Sequence, residues 1–186
     1  MRAHLDQDHR YEHVVRVARS AELLAMHHGI DTRKARLAGM LHDLARLYSA
    51  TRLLQECELR HMPIDAFERE HPIVLHAPLG AKLASEAFGV RDTEVLSAIE
   101  KHTLGDAEMS PLDCVVYLAD ALEPGRAFDA RETLWQLALA DLDTAMLATL
   151  ENSLDYLRRK GLAAAPQTLA AVKAFGLRQR IVPSLN

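Results

Sequence analysis

Six residues of this sequence carry nitrogen or oxygen donors at positions where their neighbours are apolar: His13, His42, Asp43, His76, His102 and Asp120. His42 and Asp43 stand in Leu41-His42-Asp43-Leu44-Ala45, and Asp120 follows Val115-Val116-Tyr117-Leu118-Ala119. A carboxylate buried alone is costly, so each acid requires a counter-charge, a hydrogen-bond network or a metal. His13 falls on the helical face of Val17 and Leu24, His102 on the stripe of Val95, Ala98 and Ile99, and His76 in line with Leu79, Gly80 and Leu83. A single inward histidine is ordinarily a hydrogen-bonded core residue. Four imidazoles with two carboxylates and no thiolate instead form the ligand set suited to iron, manganese, cobalt or zinc, enough for two sites.

Helices have to position these groups. Ala and Leu are plentiful, β-branched and aromatic residues are sparse, and apolar residues recur at three and four, so an all-α chain is predicted. A first helix runs from about Tyr11 to His28, with Val14, Val17, Ala18, Ala21, Leu24 and Ala25 inward and Gly29 as its stop. A second, about Thr32 to Leu47, is apolar on all sides through Leu37-Ala38-Gly39-Met40-Leu41, which predicts a central helix with His42 and Asp43 inside it. A short helix follows from about Thr51 to Leu59, then His61 to His71 reads as a loop or broken helix between Pro63 and Pro72. Pro78 suits the first turn of a helix to Phe88, and Asp92 caps another from about Thr93 to His102. Ser110, Pro111 and Asp113 form a capping box for a helix ending near Pro124. Beyond it, covering helices are expected over about 130–176, one breaking near Asp141 and the last starting at Pro166, with a loosely held tail from Leu177.

With 186 residues the chain is expected to form one domain, its metal-site helices within about 11–124. The formal charge of −4 lacks the basic excess that nonspecific DNA or RNA binding uses. No apolar run reaches the length of a membrane span, and Met1 to Arg10 is too polar for a signal peptide, so a cytoplasmic protein with no membrane partner is expected. Cys57 and Cys114 form no CxxC pair and are expected to be buried thiols. Histidine is abundant at ten residues; His4, His9, His27, His28 and His61 are given no role, and His71 is a substitute for His76 if the register slips.

The six donors sit in blocks that occur in a fixed order: Arg10-Tyr11-Glu12-His13-Val14, Ala38-Gly39-Met40-Leu41-His42-Asp43, Leu75-His76-Ala77-Pro78-Leu79-Gly80, Ile99-Glu100-Lys101-His102-Thr103, and Ala119-Asp120-Ala121-Leu122-Glu123-Pro124 with Arg126. The order His, His-Asp, Asp resembles the HD-domain phosphohydrolases, and the two further histidines resemble their two-metal YqeK branch, the symmetrical bis(5'-nucleosyl)-tetraphosphatases. The resemblance implies an HD-type helical bundle with a buried two-metal centre. His13, His42, Asp43 and Asp120 would hold one ion and Asp43, His76 and His102 the other, with Asp43 bridging. The ions would be divalent or mixed-valence iron, with manganese, cobalt or zinc as alternatives. The implied reaction is attack by a metal-bridging hydroxide at the centre of diadenosine tetraphosphate, giving two ADP, with His42 and Asp43 as catalytic residues and no protein nucleophile. Arg46 departs from the family's lysine after His-Asp, exchanging an ammonium for a guanidinium.

Arg46, Arg126, Lys101 and Thr103 are candidate substrate contacts, each also readable as a surface charge or a helix-end group. Glu123 reads as an orienting partner or a surface acid, and Trp135 as a core anchor. The expected partner is a dinucleoside polyphosphate or another nucleotide; a homodimer is compatible with the sequence. Other readings stay open: a different HD phosphohydrolase acting on a nucleoside monophosphate or guanosine alarmone, a non-catalytic metal or nucleotide sensor, and a metal-independent helical domain with satisfied core histidines.

Overall fold

The computed structural model describes residues 8–181, and among them all regular structure is helical. The order is α1 Asp8–His27, α2 Thr32–Leu41, α3 Ala50–Leu59, α4 Ala66–Glu70, a 3-10 turn Pro72–Leu75, α5 His76–Phe88, α6 Thr93–Lys101, α7 Pro111–Leu122, α8 Arg131–Ala140, α9 Leu142–Lys160 and α10 Pro166–Ile181. Several starts follow from their caps. Asp31 accepts from the backbone of Arg33 and Lys34, Asp92 from Glu94 and Val95, and Ser110 and Asp113 close the expected capping box. The break between α8 and α9 falls at Asp141, whose side chain caps α9 through Thr144.

The stripe expected on α1 is buried throughout, from Val14 to Ala25. The central helix, however, is α7 and not α2. Every residue from Leu112 to Ala119 is buried, and α7 packs against α1, α2, α6, α8 and α9. On α2 the apolar run misled, because Leu37 is 42% exposed while Ala35, Ala38, Gly39 and Leu41 face inward.

Three further expectations are corrected. The second helix ends at Leu41 rather than Leu47, and residues 42–48 continue as turns bonded three residues apart. The stretch after Pro63 contains α4, which Asp65 and Glu68 start with a capping box. The tail from Leu177 is helical to Ile181, where Arg178 pairs with Asp143, donates to the Met109 carbonyl and lies over the Phe175 ring. His4 and residues 182–186 lie outside the described residues. Both cysteines are buried free thiols, and Trp135 packs partly buried against the core.

Two packing features place the chemistry. A small apolar cluster of Ala45, Leu53, Cys57, Leu75 and Leu79 ties α3 to the turn and to the start of α5, where His76 sits. At the crossing of α1 and α2, a Cβ on Gly39 would stand 2.9 Å from Ala18 Cα and 3.2 Å from Ala18 N. Those are backbone atoms and cannot swing aside. Gly39→Ala gains about 1 kcal/mol of helix propensity against roughly 1–3 kcal/mol for overpacking. The crossing is therefore expected to lose about 1 kcal/mol, seen as a lower urea midpoint, and to separate His13 from His42.

Candidate metal centre

His42 and Asp43 occupy the exit of α2, not its interior. Both are buried there, with His42 wholly enclosed and Asp43 4% exposed. His102 occupies the same position at the end of α6, and His76 follows the 3-10 turn. A shared local device orients all three rings. His42 Nδ1 donates to the Gly39 carbonyl at 2.7 Å, His76 Nδ1 to Ile73 at 2.5 Å and His102 Nδ1 to Ile99 at 2.7 Å. Each is a bond to the carbonyl three residues back, one of the acceptors that a helix end leaves open. His13, on α1, is held differently: its Nδ1 lies 3.1 Å from Glu123 Oε1.

With their Nδ1 atoms engaged as donors, His42, His76 and His102 are left with bare Nε2 atoms, which face a common centre together with His13 Nε2. His76 Nε2 and His102 Nε2 stand 3.2 Å apart, and Thr103 Oγ1 lies 3.2 Å and 3.0 Å from them. One hydroxyl proton cannot serve two lone pairs. His42 Nε2 is buried with no hydrogen-bond partner among the described residues. Asp43 sits in the middle, its Oδ1 3.5 Å from His76 and 3.9 Å from His102, its Oδ2 3.6 Å from His42 and 3.8 Å from His13. Asp120 Oδ1 lies 3.1 Å from His13 Nε2 and 3.9 Å from His42 Nε2. Three overlapping triads place their donor atoms within 4.8 Å of one another: His13, His42 and Asp43; His42, His102 and Asp120; Asp43, His76 and His102. Unpartnered nitrogens facing carboxylate oxygens in a closed site are what a divalent cation satisfies, so the residues fit a metal.

The charge states agree with that chemistry. Burial pushes His102 down to about 3, helped by His42 and His76, and burial likewise lowers His76. Both rings are therefore neutral, the form that binds metal. Burial opposes the charges of Asp43 and Asp120, but their surroundings outweigh it. His42, His102 and His76 lower Asp43, while His13, His42, His102 and Arg126 hold Asp120 well below the usual carboxylate range. For His13, burial favours the neutral ring, yet Asp120 and Glu123 together raise its pKa.

All six expected donors are thus brought together, and His71 is not among them; its ring packs at a tilt of 46° against Phe67 instead. Arg46, Thr103 and Arg126 line a cavity of about 270 Å3 over the cluster. Lys101 does not. Its ammonium is held 2.5 Å from the Glu108 carbonyl and 3.5 Å from Asp113, which staples the loop ahead of α7. Arg126 also bonds Asp120 Oδ1 at 2.6 Å, so it orients a donor while facing the cavity.

Two residues that the sequence reading missed, Arg10 and Arg16, flank His13 at three positions before and after, on the same helix face. That spacing was the available signal. Arg10 Nη1 lies 3.7 Å from Asp43, and Arg16 Nε donates to Glu123 Oε2 at 2.6 Å. Glu123, 2% exposed, is thereby an orienting carboxylate, fixed also by the Gly125 amide. Glu123→Gln weakens the hold on His13 and is expected to lower metal affinity by about 10–100-fold in a metal titration.

A family model described as the HD domain matches residues 10–125. The symmetrical bis(5'-nucleosyl)-tetraphosphatase of Bacillus subtilis is 35% identical over 161 residues, covering 87% of this chain and 86% of that one. The chain belongs to the HD-domain family, in its symmetrical bis(5'-nucleosyl)-tetraphosphatase branch. A second symmetrical bis(5'-nucleosyl)-tetraphosphatase, from Halalkalibacterium halodurans, is 36% identical over 175 residues, covering 93% and 92% of the two chains. Among solved structures, a predicted HD superfamily hydrolase involved in NAD metabolism from Clostridium acetobutylicum superposes with a TM-score of 0.92 at 32% identity, covering 95% of this chain and 93% of that one. The helical bundle described above is accordingly the HD fold, and no described helix is long and apolar enough to cross a membrane.

Proposed function

We propose that this HD protein is a metal-dependent phosphohydrolase that cleaves diadenosine tetraphosphate at its central bridge, releasing two ADP. One observation carries the reading: four imidazoles whose Nδ1 atoms are engaged elsewhere turn their Nε2 atoms onto the buried carboxylate of Asp43 and the partly buried one of Asp120. His13, His42, Asp43 and Asp120 would hold one ion, and Asp43, His76 and His102 a second, with Asp43 shared. Bound there, the pair of ions would supply Lewis-acid neutralisation of phosphate oxygens and an activated water at neutral pH. The all-nitrogen-and-oxygen donor set suits iron, which we place first, as well as manganese, cobalt and zinc.

The chain's own groups do the rest. Backbone carbonyls and Glu123 hold each ring in one tautomer, so the donors need no rearrangement. Arg10, Arg46 and Arg126, around the cavity, offer guanidinium donors to a polyphosphate, and Thr103 offers a hydroxyl. Bacillus subtilis and Halalkalibacterium halodurans relatives named for the symmetrical reaction support the central cut. The deciding experiment is product analysis of iron- or manganese-loaded protein given diadenosine tetraphosphate. ADP as the sole nucleotide product is expected; ATP with AMP would overturn the central cut.

A further inference from the structure

Beside the metal centre lies a larger cavity, of about 850 Å3, which shares Ile73, Val74, Thr103 and Arg126 with the pocket over the donors. The two are therefore contiguous, and the larger one lies within the roughly 300–1,000 Å3 of sites for drug-sized ligands. Its walls come from α4, the 3-10 turn, the loop before α8, α9 and the segment that follows α9. Rings are prominent in them. Phe67, Phe128 and Tyr156 line the cavity, and the last two stay 37% and 51% exposed although both are large enough to anchor a core. Asn152 and Ser153 add amide and hydroxyl groups from α9. Arg126, Asp129 and Arg159 add charged groups; flat rings beside such polar groups are the chemistry that receives a nucleobase, by stacking on its face and bonding its edge. Among the described residues, the pocket over the donors is completed on its other side by Arg10 and Arg46, which are cations and not rings.

We infer that the enzyme reads its substrate from one side only. The aromatic cavity seats one nucleoside, the phosphates cross the donor cluster toward Arg10 and Arg46, and the far nucleoside goes unread. This inference rests on the phosphohydrolase function proposed above and extends it to a wider substrate class, nucleosides that carry a tetraphosphate with nothing at its far end. For adenosine 5'-tetraphosphate the balanced step is hydrolysis between the second and third phosphorus atoms. Water's oxygen bonds one of these two phosphorus atoms as its bond to the bridging oxygen breaks. The bridging oxygen leaves with the other product, and the protons of water are released or shared with the products. ADP and pyrophosphate result, with no other reactant.

The test uses metal-loaded wild type with Phe128→Ala and Tyr156→Ala, each given diadenosine tetraphosphate and adenosine 5'-tetraphosphate. For the wild type, kcat/KM on the mononucleotide is expected within about tenfold of that on the dinucleotide, because the unread base contributes little stacking. Each alanine variant is expected to raise KM for both substrates by the same factor, about tenfold, with the loss falling on KM rather than kcat. Wild-type cleavage of the dinucleotide alone would overturn one-sided reading, as would KM values that stay within about twofold in both variants. If the wild type cleaves neither compound, the phosphohydrolase function itself falls, which is a separate and recognisable result.

Discussion

Asp43→Asn is expected to lower turnover by on the order of 10³-fold and to strip bound metal from the protein. Asp43 belongs to two of the three donor triads, and its two oxygens face His13, His42, His76 and His102 between them. Asn keeps the shape but gives up the charge and one of the two oxygens. One ion would lose a ligand and the other would keep only a neutral amide oxygen, and several kcal/mol of transition-state charge stabilisation corresponds to about 10²–10⁴ in rate at 1.36 kcal/mol per tenfold. Elemental analysis and kinetics together check the prediction. The chelated proteins should melt within a few degrees of each other, since the substitution is isosteric. A variant that keeps both its metal and its rate would contradict the central place given to Asp43.

Acid is expected to destabilise the metal-free protein before its carboxylates are titrated. His102 is pushed down to about 3 by burial and by His42 and His76, and His76 is lowered as well. In the unfolded chain imidazoles titrate near 6.5. Below that pH the unfolded state takes up protons that the folded state refuses, so stability falls as pH drops. His102 alone accounts for about 2 kcal/mol between pH 6.5 and 5, and on the order of 4 kcal/mol by pH 3. Asp43 and Asp120, both lowered, add to the loss only as pH falls below the ordinary carboxylate range toward their folded values. His13 works the other way: its raised pKa contributes stability below about 6.5 that is lost as pH rises through the folded value. Urea midpoints in chelator at pH 7.5, 6 and 5 measure the balance, and His102→Asn should flatten the slope. A midpoint that does not fall on acidification would show that the ring does not stay neutral in the folded protein. In the metal-loaded protein protons compete with the ions for the same nitrogens, so metal release is expected in the same window.

The six donors were legible because each breaks a local rule. Asp120 interrupts a run of apolar residues, and His13 and His102 sit on stripes that face a core. The caps at Asp92 and Ser110 were legible for a similar reason, since a cap is a contact between residues two or three apart. The same local logic failed at Leu37 to Leu47. An apolar run states that burial is available, but not which side of the helix the neighbours occupy, and α7 took the central place.

By itself, then, the sequence determined which side chains could serve as ligands, that helices would carry them, and where several of those helices begin. Tertiary structure decided that α2 ends at Leu41 with His42 and Asp43 both buried just beyond it, and that Glu123 crosses from the end of α7 to bond His13 and Arg16. It also turned Lys101 away toward Asp113 and opened an aromatic cavity between α4 and α9 beside the donors. Ligand identity and capping depend on a few consecutive residues. Pairings such as His13 with Glu123, 110 positions apart, exist only once the bundle has closed, because their energy comes from excluding water between helices that the chain does not place side by side.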